Sequence, residues 1–79
     1  MAEWTPKQHE EFSVYIDMLT GIFLNEKTSA IRLKAYWYVL REQSPTRVLS
    51  ILQESIKGAI SMPTPAQILS IIEKDHMST

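Results

Sequence analysis

Apolar residues recur at helical spacing in four stretches, and three of the four open on a hydroxyl residue followed by proline: Thr5-Pro6, Ser44-Pro45 and Thr64-Pro65. After Thr5, the residues Phe12, Tyr15, Ile16, Leu19, Ile22 and Phe23 stand three and four apart, which predicts one buried face on a helix ending near Leu24. The second stretch, Ser29 to Arg41, carries Ile31, Leu33, Ala35, Tyr36, Trp37, Tyr38, Val39 and Leu40. It is apolar or aromatic nearly all round, so the pattern predicts a central helix, capped by Asn25 or Thr28. A third helix is predicted from Pro45 to about Ile60, burying Val48, Leu49, Leu52, Ile56, Ala59 and Ile60. Gly58 weakens its last turn by roughly 1 kcal/mol relative to alanine, so this end is expected to fray or stop early. Met62-Pro63-Thr64-Pro65 reads as a stiff connector, because a residue before proline avoids the helical region. A short fourth helix follows from Pro65 to about Lys74, with Ile68, Leu69, Ile71 and Ile72 to bury. The expected architecture is an all-α, compact four-helix domain of three longer helices and a short C-terminal one. It forms a single domain over residues 1–79, with an ordered core at about 5–74 and a flexible tail at 75–79.

The Ser/Thr-Pro pairs carry a physical reason as well as a pattern. A hydroxyl at the N-cap accepts a bond from an otherwise orphaned backbone N–H, and proline at the first helical position has its φ preset and no N–H to leave unpaired. Gln8 and Gln67 lie three residues after two of the caps, where each can complete a capping box. The run Tyr36-Trp37-Tyr38-Val39 has strand propensity, but no Gly-rich turn or partner strand accompanies it, so helix is the better assignment. Trp4, just ahead of the first cap, is expected to staple onto the first helix.

Composition narrows the function classes. A chain of 79 residues with 2 Gly, 4 Pro and no Cys has no disulfide, thiolate metal site or thiol nucleophile, and it leaves little margin for a large cofactor pocket. The start Met1-Ala2-Glu3-Trp4 lacks the basic, apolar character of a signal peptide, and no apolar run approaches the roughly 20 residues of a membrane span. The expectation is a cytoplasmic protein that does not engage a membrane. Two histidines are present, His9 on an early exposed turn and His76 in the tail, and neither stands in a nucleophilic or metal-binding spacing. Glu10, Glu11 and Asp17 read as a solvated helix face. With the two glycines 37 positions apart, no phosphate-cradling loop can be written. The expectation is therefore no catalytic residue, no metal and no cofactor.

Two surface features rise above this background. Residues 1–24 set Lys7 against Glu3, Glu10, Glu11 and Asp17, a net −3, while residues 25–47 set Lys27, Arg32, Lys34, Arg41 and Arg47 against Glu26 and Glu42, a net +3. The two arms either pair with one another or present a basic surface to an acidic partner or to nucleic acid. The overall charge of −1 argues against a generic polyanion binder. The predicted third helix offers only Arg47, Gln53 and Lys57 to base edges, which argues against a helix-turn-helix reader. The second feature is the consecutive aromatic run. Three adjacent helical positions span about 200°, so Tyr36, Trp37 and Tyr38 cannot all face one core, and at least one is expected at the surface. Partner binding is accordingly assigned to Tyr36, Trp37 and Tyr38 with Arg32, Lys34 and Arg41.

The sequence Ala35-Tyr36-Trp37-Tyr38-Val39-Leu40, a third helix entered near Val48 with Ile56 and Ala59 along it, and Met62-Pro63-Thr64-Pro65-Ala66-Gln67-Ile68 resemble the N-terminal helical domain of bacteriophage replicative helicase loader/inhibitor proteins. The resemblance covers roughly residues 5–74. It implies a small helical domain that binds the hexameric replicative helicase, holds it inactive and delivers it to an origin-bound initiator, in the cytoplasm of a bacterial host. The family usually has an acidic residue where this chain has Gln67, and it joins the domain to a flexible segment of which only a few residues could be present here. The expectation is thus occlusion of the helicase or its loader more than loading. The alternatives are a phage inhibitor of another host complex, such as defence machinery or RNA polymerase, and a weak nucleic-acid-binding module using Lys27, Arg32, Lys34, Arg41 and Arg47. A homodimer also stays open, because so small a domain has apolar surface to spare.

Overall fold

The computed structural model describes residues 3–77, with their side chains as far as residue 74. The described residues form four helices: α1 (Pro6–Leu24), α2 (Ala30–Leu40), α3 (Pro45–Gly58) and α4 (Pro65–Met77). The fold is all-α, as the periodicity predicts.

Both expected capping boxes are formed. The Gln8 N–H donates to the Thr5 hydroxyl at 3.1 Å and the Thr5 N–H to the Gln8 side-chain carbonyl at 3.0 Å. Thr64 and Gln67 repeat the exchange at 3.1 and 2.9 Å. Ser44 differs, since its side chain makes no cap bond, and α3 begins instead on Pro45 and on the Val48 N–H donated to the Ser44 carbonyl at 3.0 Å. The cap of α2 is Ser29, whose hydroxyl accepts the Arg32 N–H at 3.0 Å, and not Asn25 or Thr28. Asn25 ends α1 in the left-handed conformation at φ 51°, which asparagine tolerates better than most side chains. Thr28 ties the loop back to α1: its N–H points to the Asp17 carboxylate at 3.4 Å, and its hydroxyl to the Ile16 carbonyl at 3.5 Å.

The core is Phe12, Ile16 and Leu19 from α1, Tyr36 and Leu40 from α2, Val48, Leu49, Ile51 and Leu52 from α3, and Ile68 from α4. Thr20 is buried among them with its hydroxyl donated to the Ile16 carbonyl at 2.8 Å, and no buried side-chain N or O atom among the described residues lacks a partner. Helices adjacent in sequence are not the main partners: α1 lies chiefly on α3, and α2 on α4.

This arrangement overturns several expectations. The second helix is not central; only two of its side chains are buried, and α1 and α3 form the inner pair. Ile22 belongs to the outside of α1. The early stop expected at Gly58 does occur, but Ala59, the next residue, turns extended at φ −71° and ψ 150°, and this carries Ile60, expected in the buried stripe, to full exposure. The fourth helix passes its predicted end near Lys74 and runs to Met77, into the expected flexible tail; residues 78 and 79 of that tail lie outside the described residues. The connector is part of the body, with Pro63 buried and Met62 partly so.

A candidate protein-interaction surface on the second helix

The 3.6-residue period sorts the six predicted partner-binding residues into four environments. Tyr36 points inward and is 7% exposed. Its hydroxyl donates to the Pro63 carbonyl at 2.6 Å, which pins the connector to α2. Burial pushes the Tyr36 phenol above its ordinary value of 10.0, with the Arg32 charge working in the opposite direction. The predicted partner-binding role of Tyr36 is therefore corrected. A side chain closed off by its own core and hydrogen-bonded to the connector has no surface to offer.

Trp37 is half-buried at the junction of α1 and α2. Trp4, Phe12 and His9 meet it edge-on, with ring centres 5.0, 5.5 and 4.5 Å away. Edge-to-face contacts of this kind add about 0.5–1.5 kcal/mol each beyond area burial, so the cluster is a structural bridge between the two helices. Trp4 does more than staple α1. It packs on Phe12 at 5.6 Å and donates its indole N–H to the Arg41 carbonyl at 2.9 Å, satisfying an orphan acceptor at the C-terminus of α2.

Tyr38 is the aromatic that faces solvent, 71% exposed, with the Arg41 guanidinium 5.1 Å from its ring centre. Lys34 stands on the same side, exposed and without an ion pair among the described residues. Ile31, 81% exposed, completes a stripe in which Ile31, Lys34, Tyr38 and Arg41 are spaced three, four and three apart. Arg32 lies off this stripe and is committed to Glu26 at 3.1 Å. No ion pair joins described side chains of α1 to those of α2. Arg32–Glu26 lies within the basic arm itself.

Beside the stripe, a groove of about 200 Å³ opens between α1 and α2, floored by Phe12, Leu33 and Trp37 and edged by His9 and Lys34. The surface is apolar and cationic. Among the described residues no three His, Cys, Asp or Glu side chains come together as a metal would require, and no helix is long and apolar enough to cross a membrane. The His76 side chain lies outside the described residues.

Comparison with protein-family models, curated proteins and solved structures finds no match. The surface is therefore read from its own chemistry. Sequence reasoning missed Ile31, which it placed among the apolar residues of a central helix. The available signal was that Ile31, Lys34, Tyr38 and Arg41 share one side, opposite Tyr36 and Leu40.

Proposed function

We propose that this chain is a non-enzymatic protein-binding domain that works through the outward face of α2. The observation that carries the reading is the stripe itself: Ile31 and Tyr38 are the most exposed large apolar side chains within the described helices, and two cations flank them on one face. Isolated exposed apolar residues are ordinary, but an aliphatic and an aromatic group aligned with unpaired positive charge form a surface suited to an acidic partner with an apolar centre. The resemblance in the α2 aromatics and the Pro-Thr-Pro-Ala-Gln-Ile segment gives that partner a class. We infer a phage-type modulator or inhibitor that binds the replicative DNA helicase or its loader. The commitment of Arg32 to Glu26 removes one of the cations a nucleic-acid reading would use.

The test is direct binding to a purified hexameric helicase and to its loader at about 300 mM salt with nuclease present. Salt at this level strips most phosphate-driven association and spares an aromatic interface. The expected result is binding by the wild-type chain that weakens about 10- to 30-fold in Tyr38→Ala, as truncation of an interface anchor does. Equal binding by Tyr38→Ala and Ile31→Ala would remove the α2 face from the reading. Failure of both proteins to bind would discard the helicase assignment, and retention of DNA or RNA at low salt alone would put the nucleic-acid reading first.

A further inference from the structure

The groove between α1 and α2 has a fixed apolar floor and a positively charged rim. Trp37 is held there by the edge-on rings of Phe12 and His9, and Leu33 lies one helical turn away on the same side of α2. At about 200 Å³ the groove falls below the roughly 300 Å³ at which small-molecule pockets begin, and its scale is that of one bulky side chain. Because the floor is set by packing within the chain, filling it costs little further ordering.

The charge around the groove has one sign. Lys34 edges it, exposed and without an ion pair among the described residues, and Arg41 follows two turns along the same side of α2. No acidic side chain lines the groove. Asp17, one turn beyond Ser13 on the α1 wall, faces the Thr28 N–H at 3.4 Å, and Glu26 is paired with Arg32. Glu10 and Glu11 line a separate hollow with Lys7 and Tyr15. The positive rim is therefore left for a group from outside the chain.

We propose that this groove receives one bulky apolar side chain from an acidic segment of a partner protein, whose flanking carboxylates meet Lys34 and Arg41. This rests on the protein-binding reading of α2 and adds the chemistry of the segment that α2 binds. Charge complementarity selects the occupant. Two cations are too few for the several phosphate contacts that sustain nucleic-acid binding, and a small apolar molecule would leave Lys34 unused. Around the helix Lys34 stands between Trp37 and Tyr38, so one segment can fill the groove and lie against the exposed Tyr38 ring.

The probe is a blocked peptide of about 15 alanine and glutamate residues with one central leucine, titrated to about 2 mM into the isotopically labelled full chain. The indole N–H resonance of Trp37 and the backbone amides of Ser13 and Leu33 should shift and saturate with a dissociation constant of about 0.1–1 mM; no shift at the highest concentration overturns the proposal. Alanine in place of the central leucine should weaken binding at least ~10-fold, and equal binding by the two peptides overturns the anchor. Ser13→Leu fills the groove from its α1 wall with a better helix former, so it should melt no lower than wild type and yet bind at least ~10-fold more weakly. Ala30→Leu fills it from the α2 side and carries the same expectation should Ser13→Leu melt lower; wild-type affinity in a folded filling variant overturns the site. Lys34→Glu should prefer the same peptide with lysines in place of glutamates, and an unchanged preference overturns the charge pairing. Shifts that survive Ser13→Leu but vanish in Tyr38→Ala would keep the α2 stripe and end the groove proposal. Shifts lost in Ser13→Leu but unaffected by Tyr38→Ala and Ile31→Ala would uphold the groove and remove the stripe as the binding face. A chain that sediments above 9.1 kDa and returns to it in Ser13→Leu would make a second copy the occupant and end the proposal, as would shifts produced by a DNA oligonucleotide and not by the peptide.

Discussion

Replacing Tyr36 by phenylalanine removes one oxygen from the interior and leaves the packing of the ring almost unchanged. That oxygen donates to the Pro63 carbonyl at 2.6 Å, on a residue that is itself buried, so the variant strands an acceptor that water cannot easily reach. A stranded buried acceptor costs about 1–3 kcal/mol, more than the net 0.5–1.5 of an average hydrogen bond. In a domain of this size 1 kcal/mol corresponds to about 4–8 °C in melting temperature, so Tyr36→Phe should melt some 5–15 °C below wild type at pH 7. The alkaline behaviour supplies an independent sign. The phenol is held above its ordinary 10.0, so as pH rises past 10 the unfolded chain releases the Tyr36 proton before the folded one does. Stability from this group is thus complete below pH 10 and is lost as pH climbs toward the raised folded value. Phenylalanine has no such loss, and the gap between the two proteins should narrow above pH 10 while it stays constant from pH 7 to 9. Circular dichroism melts at pH 7, 9 and 10.5 give both readings. A variant within ~2 °C of wild type at pH 7, or a gap that widens above pH 10, would show that the connector is not held by this bond.

The caps provide a matched set: Thr5→Ala and Thr64→Ala should each destabilise by about 1 kcal/mol in urea titrations, whereas Ser44→Ala should change the midpoint little because Ser44 makes no side-chain cap bond. Trp4→Phe keeps a ring against Phe12 and Trp37 but loses the bond to the Arg41 carbonyl, and should cost about 0.5–1.5 kcal/mol by the same measurement. Arg32→Ala breaks an exposed ion pair and should cost less than about 1 kcal/mol, with the difference shrinking as salt is added. Ile60→Ser should leave the melting temperature within about 2 °C of wild type, since its side chain is wholly exposed; a larger drop would return Ile60 to the core.

Much of the local structure is legible in the chain because its causes lie within a few residues. Thr5 with Gln8 and Thr64 with Gln67 start helices by bonds that span three positions, and α3 stops at Gly58, where the low helix propensity of glycine weakens the last turn. The same short reach explains the all-α class and the separate faces of α1 and α3. It also limits the candidate site. The spacing argument shows that Tyr36, Trp37 and Tyr38 must diverge, and by itself cannot say which turns outward.

That choice belongs to contacts between residues far apart in sequence. Tyr36 is inward because the Pro63 carbonyl is there to receive its hydroxyl, 27 residues away. Trp37 is half-covered because Trp4 reaches from the start of α1 to the end of α2. With those two fixed, the helical period leaves Tyr38 in solvent beside Ile31, Lys34 and Arg41. The apolar richness of α2 suggested a central helix, yet α1 and α3 took the centre, because Phe12, Ile16 and Leu19 match Val48, Leu49 and Leu52 on two well-separated faces. Periodicity within a helix records which side is apolar. Where a chain has more apolar faces than one small core can bury, only the packing decides which of them remain outside, and here those are the outer stripes of α1 and α2.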